Sequence, residues 1–207
     1  KEHSERTFSI LAIMPPTESP VFRYELPDNV LENKTIFLQS IKKGQRAFGK
    51  KRNLVNHLEP LLHKYLTGDF HREFDEMVQF FMQYRPILGR KILVESKAAW
   101  ELTLRLYKSI QPEGSFLDFF WSLMVMSRAL YSIFLPPLPE AKLYHALSTG
   151  YSGIMLARAK QEKKVPCFLT EHGLYTTERR IEIAVSDWFG HPESLNLSFD
   201  ARKASTT

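Results

Sequence analysis

Two short segments concentrate the side chains able to do chemistry. The first, His145–Gly153 (HALSTGYSG), sets Ser148, Thr149, Gly150, Tyr151, Ser152 and Gly153 in front of a helical pattern. Glycines and hydroxyls leading into a helix can offer backbone N–H groups and a positive helix end to an anion. The same residues read equally well as a plain capped turn. The lysine of a Walker loop is missing, and the spacing is not that of the dinucleotide-binding glycine motif. The second segment, Glu171–Arg180 (EHGLYTTERR), gathers Glu171, His172, Tyr175, Glu178, Arg179 and Arg180 where Gly173 lets the chain turn sharply. An imidazole at a strand end can donate to a sugar hydroxyl or act as an acid or base. Arg179 and Arg180 can face phosphate. The competing reading makes His172 a hydrogen-bonded structural residue and pairs an arginine with Glu178 or Glu182 along a helix.

Other chemistries fail on spacing. His145 and His172 belong to no HExxH or Cys/His zinc pattern, so no metal site is expected. Cys167, the single cysteine, sits in an apolar run and reads as packing rather than as a nucleophile; alone it can form no internal disulfide. His57, His63 and His71 lie on or beside surface-type helices and receive no role. Aromatic and basic residues lack the stacking motifs used for single-stranded nucleic acid, so no nucleic-acid partner is expected.

The elements that must position the two segments alternate. Thr7–Ile13 (TFSILAI) reads as a buried strand stopped by Pro15 and Pro16, and Lys34–Gln39 (KTIFLQ) as a second strand after the extended Tyr24–Val30. Helical spacing follows over Asn53–Leu66, where Pro60 threatens a kink, then from an N-cap at Asp69 to Tyr84, and over Ser96–Ile110. Ser115 caps a long apolar helix over Phe116–Leu135, ended by Pro136, Pro137 and Pro139. Ala141–Ala146, Tyr151–Lys163 and Val165–Thr170 then read strand, helix, strand, the βαβ pattern of a parallel sheet. A last helix is expected from Thr177 to Trp188. The fold class is therefore α/β, with a parallel sheet and a helical insertion. In such sheets ligands bind beyond the carboxyl ends of the strands, where both segments fall.

Bulk properties narrow the class. The 207 residues are 43% hydrophobic and 25% charged, as in an ordinary globular domain, with a net charge of +5. The dense basic run Lys42–Arg52 reads as a solvated loop, with a phosphate-binding patch as its alternative. Phe116–Leu135 is long enough to span a bilayer, but Asp118 and Arg128 each cost about 3 kcal/mol near mid-membrane. A buried helix of a soluble domain is the expectation. No signal peptide is visible, and a cytoplasmic location is expected.

The strings Tyr144–Gly153 (YHALSTGYSG) and Phe168–Ile183 (FLTEHGLYTTERRIEI) closely resemble the PelF family of glycosyltransferases in bacterial exopolysaccharide and biofilm synthesis. Tyr24–Val30, Ser115–Trp121 and Trp188 agree with it. The resemblance implies that residues 1–190 are the Rossmann-like, three-layer, acceptor-side N-terminal half of a GT-B fold, followed by a tail or truncated linker over 191–207. It implies a retaining transfer from a UDP-sugar, UDP-glucose or a related UDP-hexose, to a glycan acceptor, without metal. It also implies association with an inner-membrane polysaccharide synthase. His172 matches the histidine that faces the donor sugar. Thr149, Gly150, Glu171, Gly173, Tyr175, Arg179 and Arg180 match substrate-binding motif positions. The family's first strand with its glycine-rich loop, and the second domain with its paired glutamates, have no counterpart in these residues. Negligible transferase activity is therefore expected of this polypeptide alone. The alternative is a non-catalytic scaffold that binds a polysaccharide or a protein partner.

Overall fold

The computed structural model describes residues 5–15, 25–44, 51–68 and 73–172. In chain order the elements are β1 (Phe8–Met14), β2 (Val30–Phe37), α1 (Lys51–Thr67), α2 (Glu73–Tyr84), α3 (Arg90–Leu93), α4 (Lys97–Ile110), α5 (Phe116–Phe134), β3 (Tyr144–Ala146), α6 (Tyr151–Lys163) and β4 (Cys167–Leu169). They are helices and short parallel strands, an α/β arrangement consistent with a Rossmann-like fold. Two compact units divide the chain, with the boundary inside α5. One comprises Lys1–Ile41 with Arg128–Thr170, the other Lys42–Ser127 with Glu171–Thr207.

The first unit holds all four described strands, as two parallel pairs, β1–β2 and β3–β4. β1 and β2 run in register from Ser9↔Glu32 and Ile10↔Asn33 to Met14↔Phe37, with an irregularity between Phe8 and Ser9. The Phe8 N–H donates to the Asn29 carbonyl at 2.8 Å, and the Val30 N–H closes a turn on Pro27 at 2.9 Å. These bonds start β2 at Val30, earlier than the apolar pattern of Lys34–Gln39 suggests. Gln39 ends it by taking a left-handed φ of 63°. Parallel strands are ordinarily covered on both faces. Here Ile36 is buried, whereas Leu31 and, on the other pair, Phe168 and Leu169 are exposed.

α6 is the crossover that makes β3 and β4 parallel, and it packs against both. Its limits coincide with the sequence expectation, and Lys164 ends it in a left-handed conformation. The strands it joins are shorter than expected, three residues each. Residues 129–134 of α5 are buried on every side, and Pro136 and Pro137 follow at once. Behind them Arg158 of α6, with no solvent exposure, donates through Nη1 to the Ile133 carbonyl and through Nη2 to the Pro136 carbonyl at 2.7 Å. Its Nε reaches Glu162 Oε1 at 2.6 Å. One guanidinium thus satisfies the open carbonyls at the end of α5 and neutralises a carboxylate one turn along α6.

The second unit is helical and corresponds to the expected insertion. α1 runs unbroken through Pro60. A proline inside a helix costs about 3 kcal/mol, but Leu54, Val55, Leu58, Leu61, Leu62 and Leu66 are all buried. At about 1.5–3 kcal/mol per side chain, that burial outweighs the kink. α1 packs against α2 and α4. Arg105 of α4 grips Glu59 of α1 through Nε at 2.9 Å and Nη2 at 2.7 Å. Ser96 caps α4 by accepting from the Ala99 N–H at 3.0 Å. Ser115 does the same for α5, accepting from Asp118 N–H at 3.3 Å. Asp69 lies outside the described residues, as does the expected helix from Thr177. α3 went unforeseen because four residues carry no periodicity.

At the entry to this unit the backbones of Gly44 and Gly89 cross. A methyl group on Gly44 would lie 2.9 Å from Gly89 Cα, and one on Gly89 would lie 2.5 Å from Gly44 Cα. The crossing lets Arg90 N–H donate to the Lys42 carbonyl at 2.9 Å, so that α3 starts on residues 42–43. Of the long apolar segment, Phe119, Leu123 and Ser127 are buried while Leu117, Trp121 and Val125 are exposed. No helix among the described residues is long and apolar enough to cross a membrane.

Replacing Arg158 with methionine takes the guanidinium from the buried Glu162 carboxylate and the donor from two carbonyls. Chemical denaturation should show a loss of about 3–5 kcal/mol. The double variant R158M/E162M should recover part of that loss; a double variant as unstable as the single one would contradict the assignment.

Candidate functional site

The carboxyl ends of β3 and β4 meet in the first unit. Tyr144↔Cys167, His145↔Phe168 and Ala146↔Leu169 are paired, and the Thr170 N–H donates to the Ala146 carbonyl at 2.9 Å. That register sets the loop after β3 beside the end of β4. His145 Nε2 and Thr170 Oγ1 lie 2.7 Å apart, with the tautomer deciding which of them donates. His145 is exposed, and its contact joins the two strand ends across 25 residues. The sequence reading gave His145 no role. The signal for it lay in the parallel register, which a linear pattern does not display.

Gly150 is the N-cap of α6, at φ 65° and ψ −131°, and no side chain caps the helix. A side chain at that position would be strained, which is the physical reason for glycine here. Thr149 precedes it, half-buried. Ser148 Oγ donates to Ser152 Oγ at 3.3 Å, so the hydroxyls of the loop bond to one another rather than to the first N–H groups of the helix. The first turn carries no acidic residue. Gly153 has open space where a Cβ would stand. Among the described residues no side chain caps the start of α6, and its positive helix end is suited to an anion. The plain capped turn, the alternative left open by the sequence, lacks its capping side chain.

Glu171 and His172 are exposed and group with the second unit. Gly173, Tyr175, Arg179 and Arg180 lie outside the described residues. Of the described site residues, Thr149 and Gly150 thus belong to the first unit and Glu171 and His172 to the second. No cluster of three or more metal-ligating side chains occurs among the described residues.

Cys167 and Tyr144 flank the site from below. Burial pushes the Cys167 thiol above its ordinary value, partly offset by the positive charge of Lys160. Its Sγ points at the Val165 carbonyl, 3.5 Å away, and at Leu156 O, 3.9 Å away. Burial, followed by the charges of Glu140 and Glu162, likewise raises the Tyr144 phenol, whose hydroxyl donates to the Pro139 carbonyl. Cys167 thus behaves as packing, as its sequence context suggests.

Two outcomes are expected. Gly150→Ala should lower stability by about 1–3 kcal/mol in thermal or chemical unfolding, while Gly153→Ala, with open space around it, should not. Because a raised thiol pKa lowers the thiolate fraction at neutral pH, iodoacetamide should modify Cys167 more slowly in the folded chain than in the urea-unfolded chain at pH 7.5. Equal rates would place Cys167 in a different environment.

No curated protein and no solved structure matches the chain. One family does, over nearly its entire length. Residues 1–204 match a family described as a domain of unknown function, DUF3492, and the chain belongs to that family.

Proposed function

We propose that the chain is the acceptor-side, Rossmann-like half of a GT-B glycosyltransferase of the PelF type. The reaction is retaining transfer of a hexose from a UDP-sugar, UDP-glucose or a related donor, to a growing glycan. The observation that carries this reading is the uncapped N-terminus of α6 at Gly150, set by the β3–β4 register beside the end of a parallel strand. That is where parallel α/β sheets hold ligands.

In this reading Thr149 and Gly150 hold the loop against the substrate. Exposed His172 donates to a hydroxyl of the donor sugar, or to the oxygen that gains charge as the glycosidic bond to UDP breaks. The resemblance gives Glu171, Gly173 and Tyr175 substrate-binding positions, and Arg179 and Arg180 suit phosphate. The work takes place in the cytoplasm, next to a membrane-bound polysaccharide synthase, with no nucleic acid involved.

A second reading, a non-catalytic scaffold for a polysaccharide or protein partner, is favoured by one observation. Leu117, Trp121 and Val125 form an exposed i, i+4, i+8 stripe on α5 in the second unit, and such aromatic-rich surfaces often mark interfaces.

Radiolabelled UDP-glucose, given to the complete gene product with a glycan acceptor, separates the two. Transfer should occur, and His172→Ala should reduce kcat by about 10²–10⁴-fold with an unchanged unfolding midpoint. Full activity in that variant would remove His172 from the site. Lack of turnover with any UDP-hexose would leave the scaffold.

A further inference from the structure

Arg128 is charged, yet it occupies the most apolar helix of the protein, between buried Ser127 and buried Ala129. The sequence marks it only as an obstacle to membrane insertion. In the structure its side chain is half-buried, and Nη2 donates to the Gln39 carbonyl at 3.0 Å. Gln39 lies two residues past the carboxyl end of β2 and is held in a left-handed conformation, with φ at 63°. Nε is buried and has no hydrogen-bond partner among the described residues. Among the described residues no carboxylate pairs with this guanidinium.

Three other arginines of the fold have a carboxylate partner. Arg158, more deeply buried, has Glu162 and two carbonyls. Arg105 has Glu59 and Asn56. Arg90 has Glu95 at 2.8 Å. A half-buried guanidinium that has lost water on one side and gained a single neutral carbonyl is short of negative charge. It also lies at the edge of the parallel strands where ligands bind in α/β sheets.

We propose that Arg128 is an anion-binding residue at the carboxyl end of β2, and that its ligand is a phosphate group. The planar guanidinium suits phosphate, which accepts paired, charge-assisted hydrogen bonds and supplies the missing countercharge. α5 and the Gln39 carbonyl fix the direction of the group in advance, so little side-chain freedom is lost on binding. The proposal does not depend on the glycosyltransferase reading, since inorganic phosphate and a nucleotide diphosphate present the same chemistry.

The test uses the 207-residue chain in sodium phosphate and in sodium chloride of equal ionic strength, with UDP as a separate arm. Phosphate in large excess should raise the unfolding midpoint by about 2–4 °C over chloride, and Arg128→Gln should abolish that rise. A rise with UDP but not with inorganic phosphate would identify the source as the nucleotide and still require Arg128. The Nε–H resonance of Arg128 in the wild-type chain provides a second readout that needs no variant, and it should shift as phosphate or UDP is added. No rise in the wild type with either anion, an equal rise in R128Q, or a stationary Nε–H resonance would overturn the proposal.

Discussion

A guanidinium out of reach of water holds the first unit in order. Arg158 can stay buried and charged only because Glu162 lies one turn along the same helix and because α5 ends with carbonyls facing it. Each of those conditions constrains something else. The carbonyls are open because Pro136 and Pro137 end the helix abruptly, and their position fixes where α6 lies. α6 in turn sets the separation and parallel direction of β3 and β4. The loop at Gly150, the contact between His145 and Thr170, and the direction of the uncapped helix end all follow from that placement. Charge buried with its partners is weak as a source of stability but strong as a constraint, since few other arrangements satisfy every donor.

Much of this was legible in the residues. α6 could be read at both ends, since a glycine-bearing turn precedes it and a change of period follows. The insertion could be read from leucine spacing in α1, aromatic spacing in α2 and the cap at Ser115. What escaped was non-local or set by the backbone. β2 begins at Val30 because Phe8 and Pro27 bond there, although its own most apolar residues lie later. Type and order place Thr149 and Gly150 at the turn before α6. They do not reveal the contact of His145, whose partner lies 25 residues away and meets it only through strand register. Arg128 was noticed for its cost in a membrane and not for what it faces, since Gln39 is 89 residues distant.

The two units obtain order in different ways. The helical one relies on apolar spacing, with Arg105 and Glu59 fixing how α4 lies on α1. The strand-bearing one has short strands with several apolar residues turned to solvent, and its order rests on polar groups at element ends: Arg158, the Tyr144 hydroxyl, the Asn29 amide on the Arg6 carbonyl. Polar groups at element ends set direction more sharply than they add stability.

The crossing of Gly44 and Gly89 has a consequence for heredity. Most tight contacts in a protein can be renegotiated, because a larger side chain on one element can be answered by a smaller one on the other. Here neither position has anything left to give up, since each is already glycine and the obstacle to each is the other's main chain. The two codons, 45 triplets apart, are thus bound together without being able to trade. A lineage can leave this arrangement only by rerouting the chain between the strands and the helices.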